Sequence, residues 1–216
     1  NITVAHLMRH QGGWHRNKSI DPLFHSIEIA TSLGKKPPAS QDDIIRFMKG
    51  WPLDFDPGTR YAYSNLGYCL LGRDIEQTTG QNYETYMRNS FLKPLGITRM
   101  RSGKTLQRAE GEVTYYPKGQ LVGIAVTGPN IGAKAPRPYG AWHLEAMDSL
   151  GGWIASAPDL VRFGSVVDRF EHSKILNTQS METMLERPKG HFGNDKKGEP
   201  DKAYYGCGWS VRQVPN

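Results

Sequence analysis

Cysteine is scarce in this chain. Cys69 and Cys207 are the only two in 216 residues, too few for a disulfide framework. No paired cysteines or His-Glu-x-x-His pattern offers a metal site. Long apolar runs are missing as well. The longest, Leu121 to Val126, is interrupted by Gly123 and falls far short of the ~18 residues of a membrane span. Charge of one sign never accumulates: basic residues cluster only as Lys35-Lys36 and Lys196-Lys197. Lys plus Arg (27) exceed Asp plus Glu (21), a net charge of +6. Without a basic run, that excess reads as solvated surface and not as a nucleic-acid footprint. No Gly-x-Ser-x-Gly elbow is present, which argues against an α/β-hydrolase. The chain opens on Asn1 without a signal-peptide pattern and reads as a piece of a longer polypeptide.

What is present suits one domain, or part of one, able to bury a core. Ile2, Thr3 and Leu7 form a hydrophobic-staple pattern around an N-cap, predicting a helix to about Arg9, broken by His10-Gln11-Gly12-Gly13. Ser40 with Asp43 starts a second helix, with Ile44, Phe47 and Met48 on one face and Gly50 at its end. Asp56-Pro57-Gly58 is a turn signal before a β-rich piece, Thr59 to Tyr63. Ser64-Asn65 then caps a helix from Leu66 to about Thr78, stopped by Gly80, with Cys69 read as a small core hydrophobe. Tyr83, Met87 and Phe91 predict a further helix ending at Pro94.

Beyond it, Val113–Tyr116 and Gln120–Val126 flank Pro117-Lys118-Gly119 and predict a hairpin, and 128–140 is Gly/Pro-rich and predicts a loop. Loops on a rigid scaffold often line sites, which makes Tyr139, Trp142 and His143 candidate walls for a substrate. Ser156 with Asp159 caps a helix whose predicted face is Leu160, Phe163 and Val167. Another helix, about Gln179 to Glu186, should bury Met181, Met184 and Leu185. The alternation from Tyr205 to Arg212 predicts one half-buried strand.

Four of these segments carry a resemblance. ITVAHLMRHQGG, PGTRYAYSNLGYCLLG with TGQNYETYMRNSFLKPLGI, SLGGWIASAPDLVRF and YGCGW, in that order, resemble the serine β-lactamase and penicillin-binding-protein superfamily. The likeness is to its class C, esterase and D-alanyl-D-alanine carboxypeptidase-like branch. It implies an α+β fold, a helical region packed on an antiparallel sheet. Residues 1–216 would be a single partial domain, with the Ser-x-x-Lys part before them and the last sheet part after them. By resemblance Tyr63-Ser64-Asn65 is the Tyr-x-Asn motif. Tyr63 would then be catalytic, relaying the proton of a serine nucleophile, and Asn65 would bind substrate and orient the nucleophile's lysine. His10 falls on the family's histidine, which reads as structural.

The nucleophile itself is not legible. Ser32-x-x-Lys35 is denied a helix by Gly34 and Pro37-Pro38, and Ser90-x-x-Lys93 lies at the end of a core helix. The expectation is a segment of a serine hydrolase acting through a covalent acyl-enzyme on a small lactam, ester or peptide. Cofactor, metal, nucleic-acid partner and transmembrane segment are not expected. Oligomeric state and compartment stay open, although the resemblance suggests the cell envelope. A non-catalytic relative that binds a peptide or partner is the alternative.

Overall fold

The computed structural model describes residues 1–116, 122–168, 173, 175–188, 199 and 201–212. Helices α1 (Val4–Met8), α2 (Ser26–Ser32), α3 (Gln41–Lys49) and α4 (Asn65–Thr79) make up its first half. Each boundary but that of α2 has a local cause. Thr3 Oγ1 accepts the His6 N–H at 3.2 Å and the His6 ring accepts back from Thr3 N–H, a capping box with His in place of Glu. Ser40 and Asp43 form the same box on α3. Ser64 Oγ accepts from Gly67 N–H at the start of α4, and Gly80, at φ 67, ends it in the left-handed region. Ser40→Ala is therefore expected to cost about 1 kcal/mol, read as a lower urea midpoint with an unchanged slope. No change in midpoint would deny the cap its role.

These helices close on one core, in which Leu23, Ile29, Ile44, Leu66 and Cys69 are at most 1% exposed. Burial pushes the Cys69 thiol up to about 12, so it is an inert packing group. Arg73 of α4 donates to Asp148 at 2.7 Å and lies 3.2 Å from Glu76, fixing the helix to the segment before residue 153.

The helix predicted from Tyr83 to Pro94 starts as expected but does not stay regular. One α-turn, α5 (Tyr83–Tyr86), passes into a π-helical stretch, Met87–Leu92, and a 3-10 turn, Lys93–Leu95. Leu92, Ile97 and Met100 anchor a second core against Phe91, Trp153 and Phe163. Phe163 of α6 (Ala157–Asp168) does pack inward, the predicted Val167 is half-buried, and its neighbour Val166 is the buried valine. Leu160, predicted on that face, is 54% exposed. The inward row of α6 instead runs through Asp159, Phe163 and Val166, because Phe163 meets Phe91 at 5.6 Å and Trp209 at 6.2 Å. In α7 (Thr178–Leu185) Met181 is fully buried, while Met184 and Leu185 are only half-buried.

Among the described residues six short strands form three antiparallel pairs. They are β1 (Arg101–Ser102) with β4 (Trp153–Ile154), β2 (Val122–Ile124) with β3 (Lys134–Pro136), and β5 (Ala203–Tyr205) with β6 (Ser210–Arg212). The architecture is α+β. Two sequence expectations change here. β2 pairs with β3 from the Gly/Pro-rich stretch and not with Val113–Tyr116, while the predicted turn at Pro117-Lys118-Gly119 lies outside the described residues. The strand expected from Tyr205 to Arg212 is a hairpin. Gly208, at φ 83, turns the chain, and Gly206 N–H donates to the Trp209 carbonyl at 2.8 Å. A Cβ at Gly206 would collide with the Met184 carbonyl.

Candidate active site

The Tyr63-Ser64-Asn65 segment is hung on the loop that follows α1. Gly58 N–H donates to Gln11 O and Ala62 N–H to His10 O, both at 2.9 Å. Two residues on, Ser64 N–H donates to the His10 ring at Nδ1, 3.2 Å away. Gly12 is required beside it, because a Cβ there would sit 2.9 Å from the Trp14 indole.

On this frame Tyr63 Oη donates to Asn65 Oδ1 at 3.1 Å, and Asn65 Nδ2 donates to Asp21 Oδ2 at 2.7 Å. The two bonds fix which way the amide points. Asn65 is buried and Tyr63 is 38% exposed, so one end of the chain of bonds is dry and the other wet. Burial raises the pKa of Asp21, while the Asn65 amide works against that rise. The Arg16 guanidinium lies 4.6 Å from the centre of the Tyr63 ring.

His10 is the hub beneath. It has φ 54, rare for a residue with a side chain, and is 2% exposed. The rings of Tyr63, Tyr205, Tyr68 and Tyr61 surround it at 4.4, 4.7, 4.9 and 5.8 Å. Burial, helped by the Arg16 charge, pushes its pKa down to about 4. With Nδ1 accepting from Ser64, the neutral ring carries its proton on Nε2.

The loop candidates fall into two groups. Tyr139 and Trp142 line a cavity of about 340 Å³ together with Gly103–Leu106, Tyr115, Arg137 and Gly152–Ile154. Its floor is built by Thr105, 3% exposed, whose hydroxyl accepts from Leu144 N–H and lies 2.6 Å from Glu145 Oε2. His143 is not among the lining residues. Its Nδ1 lies 3.1 Å from the Ala39 carbonyl and burial lowers its pKa, so the ring ties the loop to the residue before the N-cap of α3. Tyr63 and Asn65 do not line this cavity either. The link between the two places is Phe24, in the turn that Asp21 opens, whose ring meets Trp142 edge-on at 6.0 Å.

Neither Ser-x-x-Lys match has the geometry of an activated serine. Ser32, the last residue of α2, donates to Ile29 O at 2.8 Å, and Lys35 pairs with Asp43. Ser90 and Lys93 are exposed on the π-helical stretch and the turn after it. Among the described residues no three His, Cys, Asp or Glu side chains gather as a metal site, and no helix is long and apolar enough to cross a membrane. Sequence reasoning missed Arg16 and Asp21, which lie in a polar stretch without periodicity. The one available signal was Asp21 followed by Pro22, a turn-opening pair.

The family profile described as Beta-lactamase matches residues 1–216. A putative D-alanyl-D-alanine carboxypeptidase of Escherichia coli (strain K12) is 32% identical over 99 residues, 45% of this chain and 21% of that protein. The octameric penicillin-binding protein homologue from Pyrococcus abyssi superposes with a TM-score of 0.61 at 24% identity, over 96% of this chain and 42% of that one. A D-stereospecific amidohydrolase from Streptomyces sp. gives a TM-score of 0.62 at 18% identity, over 96% of this chain and 56% of that one. The chain thus spans well under two thirds of each of these relatives. With a match over its whole length and the same fold in its structural neighbours, the chain belongs to the Beta-lactamase family.

Proposed function

We propose that residues 1–216 are part of a single β-lactamase-like domain of a serine hydrolase that forms a covalent acyl-enzyme on a small lactam, ester or peptide. The observation that carries the reading is the hydrogen-bond chain Tyr63–Asn65–Asp21 at the start of α4. In it the phenol of a part-exposed tyrosine stands beside a side-chain amide held in one orientation, the two groups that proton relay and carbonyl binding need. Tyr63 takes the serine proton and returns it to the leaving group. Asn65 holds the substrate carbonyl and the nucleophile's cation. Tyr139 and Trp142 form an outer wall, and His143 positions that wall through Ala39 without touching substrate. The carboxypeptidase and amidohydrolase names of the relatives agree with an amide or peptide substrate.

The nucleophile of this reading lies outside these residues, since Ser32 and Ser90 have no base beside them. A fluorophosphonate probe tests this. Residues 1–216 expressed alone are expected to stay unlabelled, and the longer polypeptide that contains them to take up one equivalent at a serine outside them. Stoichiometric labelling at Ser32 or Ser90 would falsify the assignment. An unlabelled longer polypeptide would favour a domain that binds a peptide or partner without chemistry.

A further inference from the structure

The cavity under Trp142 has a composition that the proposed acyl transfer does not require. Four of its lining side chains are aromatic: Tyr115, Tyr139, Trp142 and Trp153. Tyr139 Oη accepts the Tyr115 amide at 2.7 Å, which holds the two rings 6.3 Å apart. Among the described lining residues stand three cations, Lys104, Arg108 and Arg137, against one carboxylate, Glu112. That carboxylate is already engaged, since Glu112 Oε2 accepts the Ala109 amide at 2.8 Å. Arg108 spends its Nε on the Glu112 carbonyl at 2.7 Å. Lys104 and Arg137 have no ion pair among the described residues and both are exposed. A volume of about 340 Å³ is at the small end of ligand pockets, enough for a fused ring pair.

We infer that this cavity is a binding site for an aromatic monoanion, a flat ring system carrying a carboxylate. The rings supply stacking and edge contacts for the flat body. Lys104 and Arg137 meet the carboxylate with charge-assisted hydrogen bonds. The neutral counterpart of such a ligand leaves both cations unused, so selectivity for the acid is built into the rim. Through Trp142 and Phe24 the cavity adjoins the turn whose Asp21 holds Asn65. As a statement about substrate, the inference rests on the acyl-transfer reading of Tyr63 and Asn65. On that reading, the preferred substrate carries an aryl group with an acidic end, seated here. As a statement about binding, it stands without that reading.

Calorimetric titration of the longer polypeptide with naphthalene-2-carboxylate, and separately with naphthalene-2-carboxamide, tests it without turnover. The acid is expected to saturate one site and to bind about fivefold tighter than the amide, the size expected of partly exposed cations. Lys104→Gln combined with Arg137→Gln changes two surface residues and leaves the fold intact. It is expected to bring the acid down to the amide's affinity while leaving the amide unchanged. Trp142→Ala is expected to weaken both ligands together. Equal binding of acid and amide to the unaltered protein, or an acid affinity untouched by the double substitution, overturns the inference. A flat titration with a rate that still depends on Tyr63 removes the pocket and keeps the acyl-transfer site. Saturable acid binding with a rate indifferent to Tyr63 does the reverse.

Discussion

Replacing Tyr63 by Phe in the longer polypeptide is expected to slow acylation by about 10²–10⁴ and to lower stability by no more than about 1 kcal/mol. The two numbers separate because the hydroxyl and the ring have different work. The ring meets His10 at 4.4 Å and lies under Arg16 at 4.6 Å; Phe keeps both contacts. Among the described residues the hydroxyl makes one hydrogen bond, to Asn65 Oδ1. Tyr63 is 38% exposed, so water can take the vacated donor position and Asn65 is not left with an orphaned acceptor. Single-turnover acylation and urea unfolding, run side by side on both proteins, check the split. Equal acylation rates take Tyr63 out of the mechanism. A loss of several kcal/mol with a modest fall in rate would make the hydroxyl a structural strut.

Asp21→Asn offers a graded control. It preserves shape but replaces a charged acceptor by a neutral amide oxygen, so the bond from Asn65 Nδ2 is kept in weaker form and the amide's orientation is held less firmly. The expected rate loss is smaller than that of Tyr63→Phe, because the relay oxygen survives and only its neighbour's aim is disturbed.

Much of the helical half was legible because its signals are local. Thr3, Ser40, Ser64 and Ser156 each sit where their own hydroxyl can accept the amide three residues on. Gly80 and Gly96 mark ends through a left-handed φ that no distant contact has to explain. What escaped was pairing between segments. Nothing near Val122 says that its partner is Pro136 and not a residue around 114, since ladder partners are chosen by tertiary packing. The Tyr205–Arg212 alternation is present in the exposures of Trp209 through Arg212. It cannot show that Gly208 reverses the chain before it.

The site divides the same way. Tyr63, Ser64 and Asn65 are consecutive, so a motif could reveal them. Asp21, Arg16 and the Lys104–Arg137 rim reach their places only through folding, and no period in the sequence ties them to residue 63. His10 was read as structural from its place at a helix end. The structure gives it a larger part: Tyr68 and Tyr205, 137 residues apart in sequence, both close on its ring.

Acid is expected to find His10 first. Its folded pKa of about 4 lies below the ordinary 6.5, so between those values the unfolded chain binds a proton that the native state refuses. Stability contributed by the neutral ring is therefore complete above pH 6.5 and lost as pH falls to 4, about 3 kcal/mol in all. The groups facing the ring cannot relieve it. Tyr61, Tyr68 and Tyr205 have pKa values raised by burial and stay neutral, and Arg16 adds repulsion. His143, also lowered by burial, acts in the same direction. Asp21, raised by burial, recovers some stability as it protonates. Asp43, Asp54 and Glu145 are held below their usual range, so their contributions fade only below about pH 4. Among the described residues with resolved shifts, the window from 6.5 to 4.5 is thus set by the two histidines, with Asp21 opposing them. His10→Asn isolates one of them. Asn tolerates the left-handed backbone at φ 54 and its Oδ1 can accept the Ser64 amide in place of Nδ1, yet it does not titrate. The variant is expected to be less stable at pH 7, where it lacks the ring's packing, and to lose markedly less on acidification. Urea midpoints at pH 7, 6, 5 and 4.5 give both lines, and parallel lines would mean that His10 does not govern the acid limb. Protonation at Nδ1 would also take the acceptor from Ser64 N–H, the bond that seats the turn between Tyr63 and Asn65. The acid transition is therefore expected to begin in the residues proposed to carry the chemistry.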